Sequence, residues 1–209
     1  MPMPTLETER LIIRPLVVGN LQDIHRILDV ELAEVNWGHD ETKVTDEREQ
    51  WLQWTVMSYE QLAKLYQPPY GERAIVLRSS GQLIGAIGYV PCLAPFEQLP
   101  SLRASANGAS LHTTEFGLYY ALSPAYHREG YATEAARAMI DYAFNTLKLK
   151  RIVATTTYDN TASMGVMRKL GMQVEKNPLS EPPWFQVVGI LENNPEARSV
   201  DGFTQTPAP

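Results

Sequence analysis

The sequence predicts an α+β fold, a mixed α/β arrangement in which a central, mostly antiparallel twisted sheet of about seven strands is flanked by about four helices. Three observations predict it. Short apolar runs rich in β-branched residues alternate irregularly with helical stretches, in the order β-α-α-β-β-β-α-β-α-β-β. Two of those runs flank a tight turn cluster, the mark of a hairpin. Only one long helix lies between two strands as a crossover, expected to be right-handed, whereas a doubly wound fold would repeat that unit.

Arg10–Leu16 (RLIIRPL) is the first strand, with Pro15 marking its end. Leu21, Ile24, Ile27 and Leu28 fall at helical spacing behind Asn20, a plausible N-cap. A longer helix runs from about Thr45 to Leu65. Asp46 and Glu47 suit the positive end of its dipole, and QPPYG ends it. AIVLRSSGQLIGAIGYV is a hairpin turning at Ser79–Gln82. From Pro91 to about His112 no period is visible, and so long a loop is either mobile or functional. TTEFGLYYAL returns to strand. YATEAARAMIDYAFNTL is the clearest helix, with Ala132, Ala135, Ala136, Met139, Ile140, Ala143, Phe144 and Leu147 on one face. RIVATTT is a strand, TASMGVMRKLG a short helix closed by Gly171, and MQVEK and WFQVVGILEN are the last strands. Residues 1–193 read as one domain and 194–209 as a disordered tail.

The chain has 209 residues and a net charge of −6, and no Lys/Arg run stands out, which argues against nucleic acid as a partner. The single cysteine, Cys92, permits no intrachain disulfide and favours a reducing compartment. The N-terminus lacks the pattern of a secretory signal, and no apolar run reaches the roughly 20 residues of a membrane span. A cytoplasmic protein is expected. The four histidines (25, 39, 112, 127) show no metal-ligand spacing, so no metal is expected.

Chemistry concentrates at HREGYATEA, residues 127–135. A strand enters a turn here and leaves as the clearest apolar-striped helix. The first N–H groups of a helix have no partner within it and lie at the positive end of its dipole, which suits an anion. Gly130, lacking a Cβ, allows close approach of a ligand, and Arg128 adds positive charge. A glycine that only relaxes the turn explains the same residues. Downstream, YDNTASMGVMRKLGM places Asn160, Ser163, Lys169 and Gly171 at fixed offsets. Asn160 has the bland role of a helix cap open to it, and so does Ser163.

Taken together, LETERLIIRPL, EFGLYYALSPAYHREGYATEA, YDNTASMGVMRKLGM and WFQVVGILEN resemble the GNAT superfamily of acyl-CoA-dependent N-acetyltransferases, most of all its RimJ/RimL-type branch. The resemblance covers the chain except for 91–112 and the tail. The phosphate motif of the family, Gln/Arg-x-x-Gly-x-Gly/Ala, falls on His127, Arg128, Glu129, Gly130, Tyr131 and Ala132, with His127 the departure from its pattern.

The resemblance implies a GNAT-like fold and acetyl-CoA as co-substrate. Backbone N–H groups from Arg128 to Thr133 would hold the pyrophosphate, the strand from Tyr119 to Leu122 would flank the pantetheine, and Asn160 would contact the cofactor arm. A backbone N–H near Tyr119 or Tyr120 would polarise the thioester carbonyl. Ser163 would bond the cofactor or protonate the leaving thiolate. Glu115 matches the carboxylate that acts as base in some relatives, and a structural ion pair is its alternative. His112 is a second candidate base. Met167 stands where many members carry an acidic tyrosine, and methionine has no proton to give. The acceptor would be a small-molecule or peptide amine, with a homodimer a permitted assembly. Acceptor choice would lie in 21–65, 91–112 and 179–190. A CoA-binding sensor without catalysis is the rival function.

Overall fold

A computed structural model describes residues 3–32, 41–103 and 111–194, with side chains in the second helix from residue 46 onward. Of the features read from the sequence, His39, the 104–110 part of the loop and the tail from 195 lie outside the described residues. Eight strands form one sheet: β1 (Leu6–Glu7), β2 (Leu11–Pro15), β3 (Glu72–Leu77), β4 (Leu83–Ala94), β5 (Thr113–Leu122), β6 (Arg151–Thr156), β7 (Gln173–Lys176) and β8 (Val187–Glu192). Their order across the sheet is β1-β2-β3-β4-β5-β6-β8-β7. Every neighbouring pair is antiparallel except β5 and β6. Four α-helices accompany them among the described residues: α1 (Leu21–His25), α2 (Glu41–Lys64), α3 (Tyr131–Asp141) and α4 (Thr161–Lys169).

The fold is mixed α/β on a mainly antiparallel sheet, as the sequence predicts, with eight strands where the pattern showed seven. The additional strand, β1, has two residues, too short for any period to reveal. Both α1 and α3 end in a wider turn bonded five residues apart, from Leu32 N–H to Ile27 C=O and from Leu147 N–H to Tyr142 C=O. The hairpin strand β4 runs through Pro91 to Ala94, four residues into what the sequence suggests is loop. Proline fits there because of pairing parity. The hydrogen-bonded pairs of β4 with β5 fall on even-numbered β4 residues, so the missing N–H of Pro91 faces β3, whose ladder has ended at Gly88.

Burial follows the two faces of the sheet. Leu118, Leu122, Ile152 and Ala154 meet Ala135, Met139 and Ala143 of α3 and its wide turn, and Met167 of α4. On the opposite face Ala74, Val76 and Ala86 meet Ile24 of α1, Ile27 of its wide turn and Leu52 of α2. No described α-helix covers that face over β6 and β8. Residues after β4 do so instead, with Phe96 and Leu99 packed on Val153, Val188 and Phe185. Buried Asn177 ties this cover to the β7–β8 connection, donating to Gln98 Oε1 at 2.7 Å and to Phe185 C=O at 2.8 Å.

Candidate active site

The site begins with how β5 leaves β6. Their parallel pairing has a single rung, Gly117 with Val153. Beyond it β6 stays with β8 to its end, while β5 stays with β4. The two strands therefore open a wedge in the middle of the sheet. Ser123 N–H donates to Ile84 C=O at 2.9 Å, which fixes the phase of the β4–β5 ladder. Hydrogen-bonded pairs alternate along an antiparallel ladder, so odd-numbered β5 residues bond β4. The backbone groups of Leu118, Tyr120 and Leu122 turn toward β6 and line the wedge. Of the two N–H groups the sequence left as alternatives, that of Tyr120 faces the opening and that of Tyr119 is committed to β4.

At the wide end of the wedge the chain turns through a short 3-10 segment, Pro124–Tyr126, into α3. Arg128 (φ 65°) and Gly130 (φ 85°) both adopt the left-handed conformation. For arginine this conformation is uncommon, and it bends successive N–H groups to one side of the turn. The first bond inside α3 runs from Glu134 N–H to Gly130 C=O at 3.0 Å, and Gly130 has no side chain to cap the helix. The N–H groups of Tyr131, Ala132 and Thr133 are thus left to whatever occupies the turn. His127 to Gly130 are exposed, and the His127 ring donates from Nε2 to Leu122 C=O at 2.9 Å, closing the turn onto the wedge.

One residue that sequence reasoning passed over sits beside this cradle. Arg10, from the β1–β2 turn, donates from Nε to Glu134 Oε2 at 2.6 Å, from its own N–H to Glu134 Oε1 at 2.9 Å, and from Nη1 to Glu129 C=O at 3.0 Å. Its guanidinium lies 4.2 Å from the Tyr131 ring centre. The available signal was the opposite charge of Arg10 and Glu134 at two ends of recognisable motifs, but nothing in the sequence pairs them.

Across the wedge, Asn160 caps α4, its Oδ1 accepting from Ser163 N–H at 3.0 Å. Asn160 is itself exposed. Tyr120 reaches over from β5 and donates its hydroxyl to Ser163 C=O at 3.2 Å. Burial pushes that phenol up, which keeps it a proton carrier at neutral pH. Met167 is buried at 1% exposure, its sulfur packed where a Cβ on Gly189 would lie.

Glu115 lies at the other end of β5, five residues or roughly 17 Å from Tyr120 at the rise of a strand. Arg151 Nη1 donates to its carboxylate at 2.8 Å, and Arg151 also pairs with Glu192. Burial pushes the Glu115 carboxyl above its ordinary range, with Arg151 pulling the other way. It lines a cavity of about 260 Å³ with Phe116, Lys150 and Arg151, away from the cradle. The Tyr119 side chain belongs to the α1/α2 face, where it feels Arg48, Glu72 and Asp29, and burial raises its phenol to about 12. A second cavity, of about 320 Å³, lies between Tyr158 and the Pro178–Gln186 connection. The structure therefore brings together Tyr120, Leu122, the 127–133 turn, Asn160 and Ser163, and leaves Glu115 and Tyr119 apart from that group.

The profile of the acetyltransferase (GNAT) domain matches residues 10–173. The chain belongs to the GNAT acetyltransferase family. It is 28% identical over 173 residues to YoaA, an uncharacterized N-acetyltransferase of Bacillus subtilis, spanning 82% of this chain and 84% of YoaA. YnaD, another uncharacterized N-acetyltransferase of that bacterium, is 44% identical over 64 residues, 31% of this chain and 36% of YnaD. That match spans about a third of its relative. Among solved structures, RimL, a ribosomal L7/L12 α-N-protein acetyltransferase in complex with coenzyme A, superposes with a TM-score of 0.60 at 15% identity, over 90% of this chain and 96% of RimL. The GNAT fold and an N-acetyltransferase function follow from the family. No described helix is long and apolar enough to cross a membrane.

Proposed function

We propose that the protein moves the acetyl group of acetyl-CoA to a primary amine, on a protein N-terminus or a small molecule, by direct attack on the thioester. The observation that carries this reading is the wedge between β5 and β6, continuous with the uncapped start of α3. The pantetheine arm would lie along Leu118–Leu122 as a strand lies along its neighbour. The pyrophosphate would occupy the turn of His127, Arg128, Glu129 and Gly130 and accept from the N–H groups of Tyr131, Ala132 and Thr133. The Tyr120 N–H would meet the thioester oxygen, whose charge grows as the amine attacks. Asn160 would cap α4 with its oxygen and touch the cofactor with its NH₂. Catalysis would rest mainly on positioning and carbonyl polarisation.

For proton traffic, Glu115 is the proposed base; at roughly 17 Å along β5 from Tyr120 it would receive the amine proton through a chain of waters and not by direct contact. A thiolate leaves readily, and the hydroxyls of Ser163 and Tyr120 are the proton donors beside the wedge. That the RimL in the CoA complex is an α-N-protein acetyltransferase supports an amine acceptor of the N-terminal type, and the single cysteine supports a cytoplasmic setting. Met167, deep in the core where an acidic tyrosine is usual, favours the second reading, a CoA-binding sensor without turnover. Titration calorimetry with CoA, followed by thiol release from acetyl-CoA across a panel of peptide and small-molecule amines, tests the two. Binding with turnover supports the transferase, binding without turnover on any amine supports the sensor, and no binding removes both.

A further inference from the structure

The cradle is built from a second place in the chain, and this bears on how it holds an anion. Glu134 sits in the first turn of α3, one residue beyond the three N–H groups left without helical partners. An acid there favours the helix dipole but competes with any phosphate for the same positive end. Three donors occupy it: Thr8 Oγ1 at 2.6 Å and the N–H and Nε of Arg10. Thr8 is itself fixed, its hydroxyl oxygen accepting from Leu11 N–H at 3.0 Å. Nη1 of Arg10 then fastens the Glu129 carbonyl inside the turn, and Nη2 stands 3.4 Å from the place of a Cβ on Gly130. The guanidinium stacks on Tyr131, so the fork is held at three points.

We propose that Arg10 is a positioning residue for the CoA pyrophosphate: it ties the β1–β2 turn to Glu134 and to the Glu129 carbonyl, neutralising the acid in the first turn of α3 and fixing the preceding turn in its anion-ready shape. The proposal rests on the cofactor reading above. The measurements are CoA affinity by calorimetry and fold by thermal melting, for wild type, Arg10→Ala, Glu134→Gln and the double variant. Arg10→Ala keeps the bonds from Thr8 and the residue-10 N–H but removes the guanidinium that balances the Glu134 charge and holds the Glu129 carbonyl, and should weaken CoA about tenfold. Adding Glu134→Gln should recover affinity to within about threefold of wild type, although it restores no contact that a folding role would need. Arg10→Lys keeps the charge without the fork and serves where the alanine variant does not fold, with an expected loss of about threefold. Unchanged affinity in the folded Arg10 variants, or an equal loss in Arg10→Ala and the double variant, would overturn the proposal. Absence of CoA binding by wild type would instead remove the cofactor reading beneath it.

Discussion

Gly130 concentrates two demands in one position: a left-handed backbone, and a place for Cβ that already lies 3.4 Å from Arg10 Nη2. Gly130→Glu should therefore raise the CoA dissociation constant by about a hundredfold or more, through strain and charge together, a change calorimetry reads directly. Glu115→Gln should lower kcat and leave CoA affinity nearly unaltered. Because burial raises the folded carboxyl, the wild-type rate should fall with acidification at a pH above the usual carboxylate range, and the glutamine variant should lack that inflexion. An identical pH–rate profile in both would remove Glu115 as base. Glu134 behaves in the opposite sense. Burial pushes it up, but the bonds from Thr8 and Arg10 outweigh that and hold it below its ordinary value. A depressed carboxyl stabilises the fold above its unfolded pKa and loses that contribution as pH falls through the folded one. Wild type should thus melt above Glu134→Gln at neutral pH, with the gap closing on acidification below the ordinary glutamate range.

The elements show what a sequence discloses and where it falls silent. The α3 stripe of Ala135, Ala136, Met139 and Ile140 was legible because each repeats at the helical period, and all four are buried. The extent of β4 was not, because Pro91 reads as a breaker until the parity of its pairing is known. Gly88 is similar, since its reason lies on the neighbouring strand: a Cβ would stand 2.5 Å from Glu72 Cα. Gly88→Val should cost about 3 kcal/mol or prevent folding, measured by denaturant melts. Asn160 had two roles open to it, and the capping bond is present. Asn160→Ser keeps an oxygen cap and should melt within about 1 kcal/mol of wild type. A loss of CoA affinity in that variant would then belong to the missing amide, and unchanged affinity would confine Asn160 to capping.

At the scale of the molecule, the motifs announced a cofactor half before any fold was known, since the 127–133 turn and the Asn160–Ser163 start of α4 are short local patterns. What joins them is nonlocal. The wedge exists because β5 and β6 share one rung, a fact of register that no window of sequence contains. The grip of Arg10 on α3 spans most of the chain for the same reason. If the site holds CoA as proposed, saturating cofactor at 100 times its dissociation constant should add about 2.7 kcal/mol, raising Tm by about 5–10 °C. The single rung has a further consequence. It makes the sheet two plates, five strands and three, stitched at Gly117 and Val153. A pantetheine arm threaded between them would act as a short ninth strand, basting the plates together. The amides of Tyr120 and Leu122 should then exchange with deuterium freely in the empty protein and slowly once it is loaded.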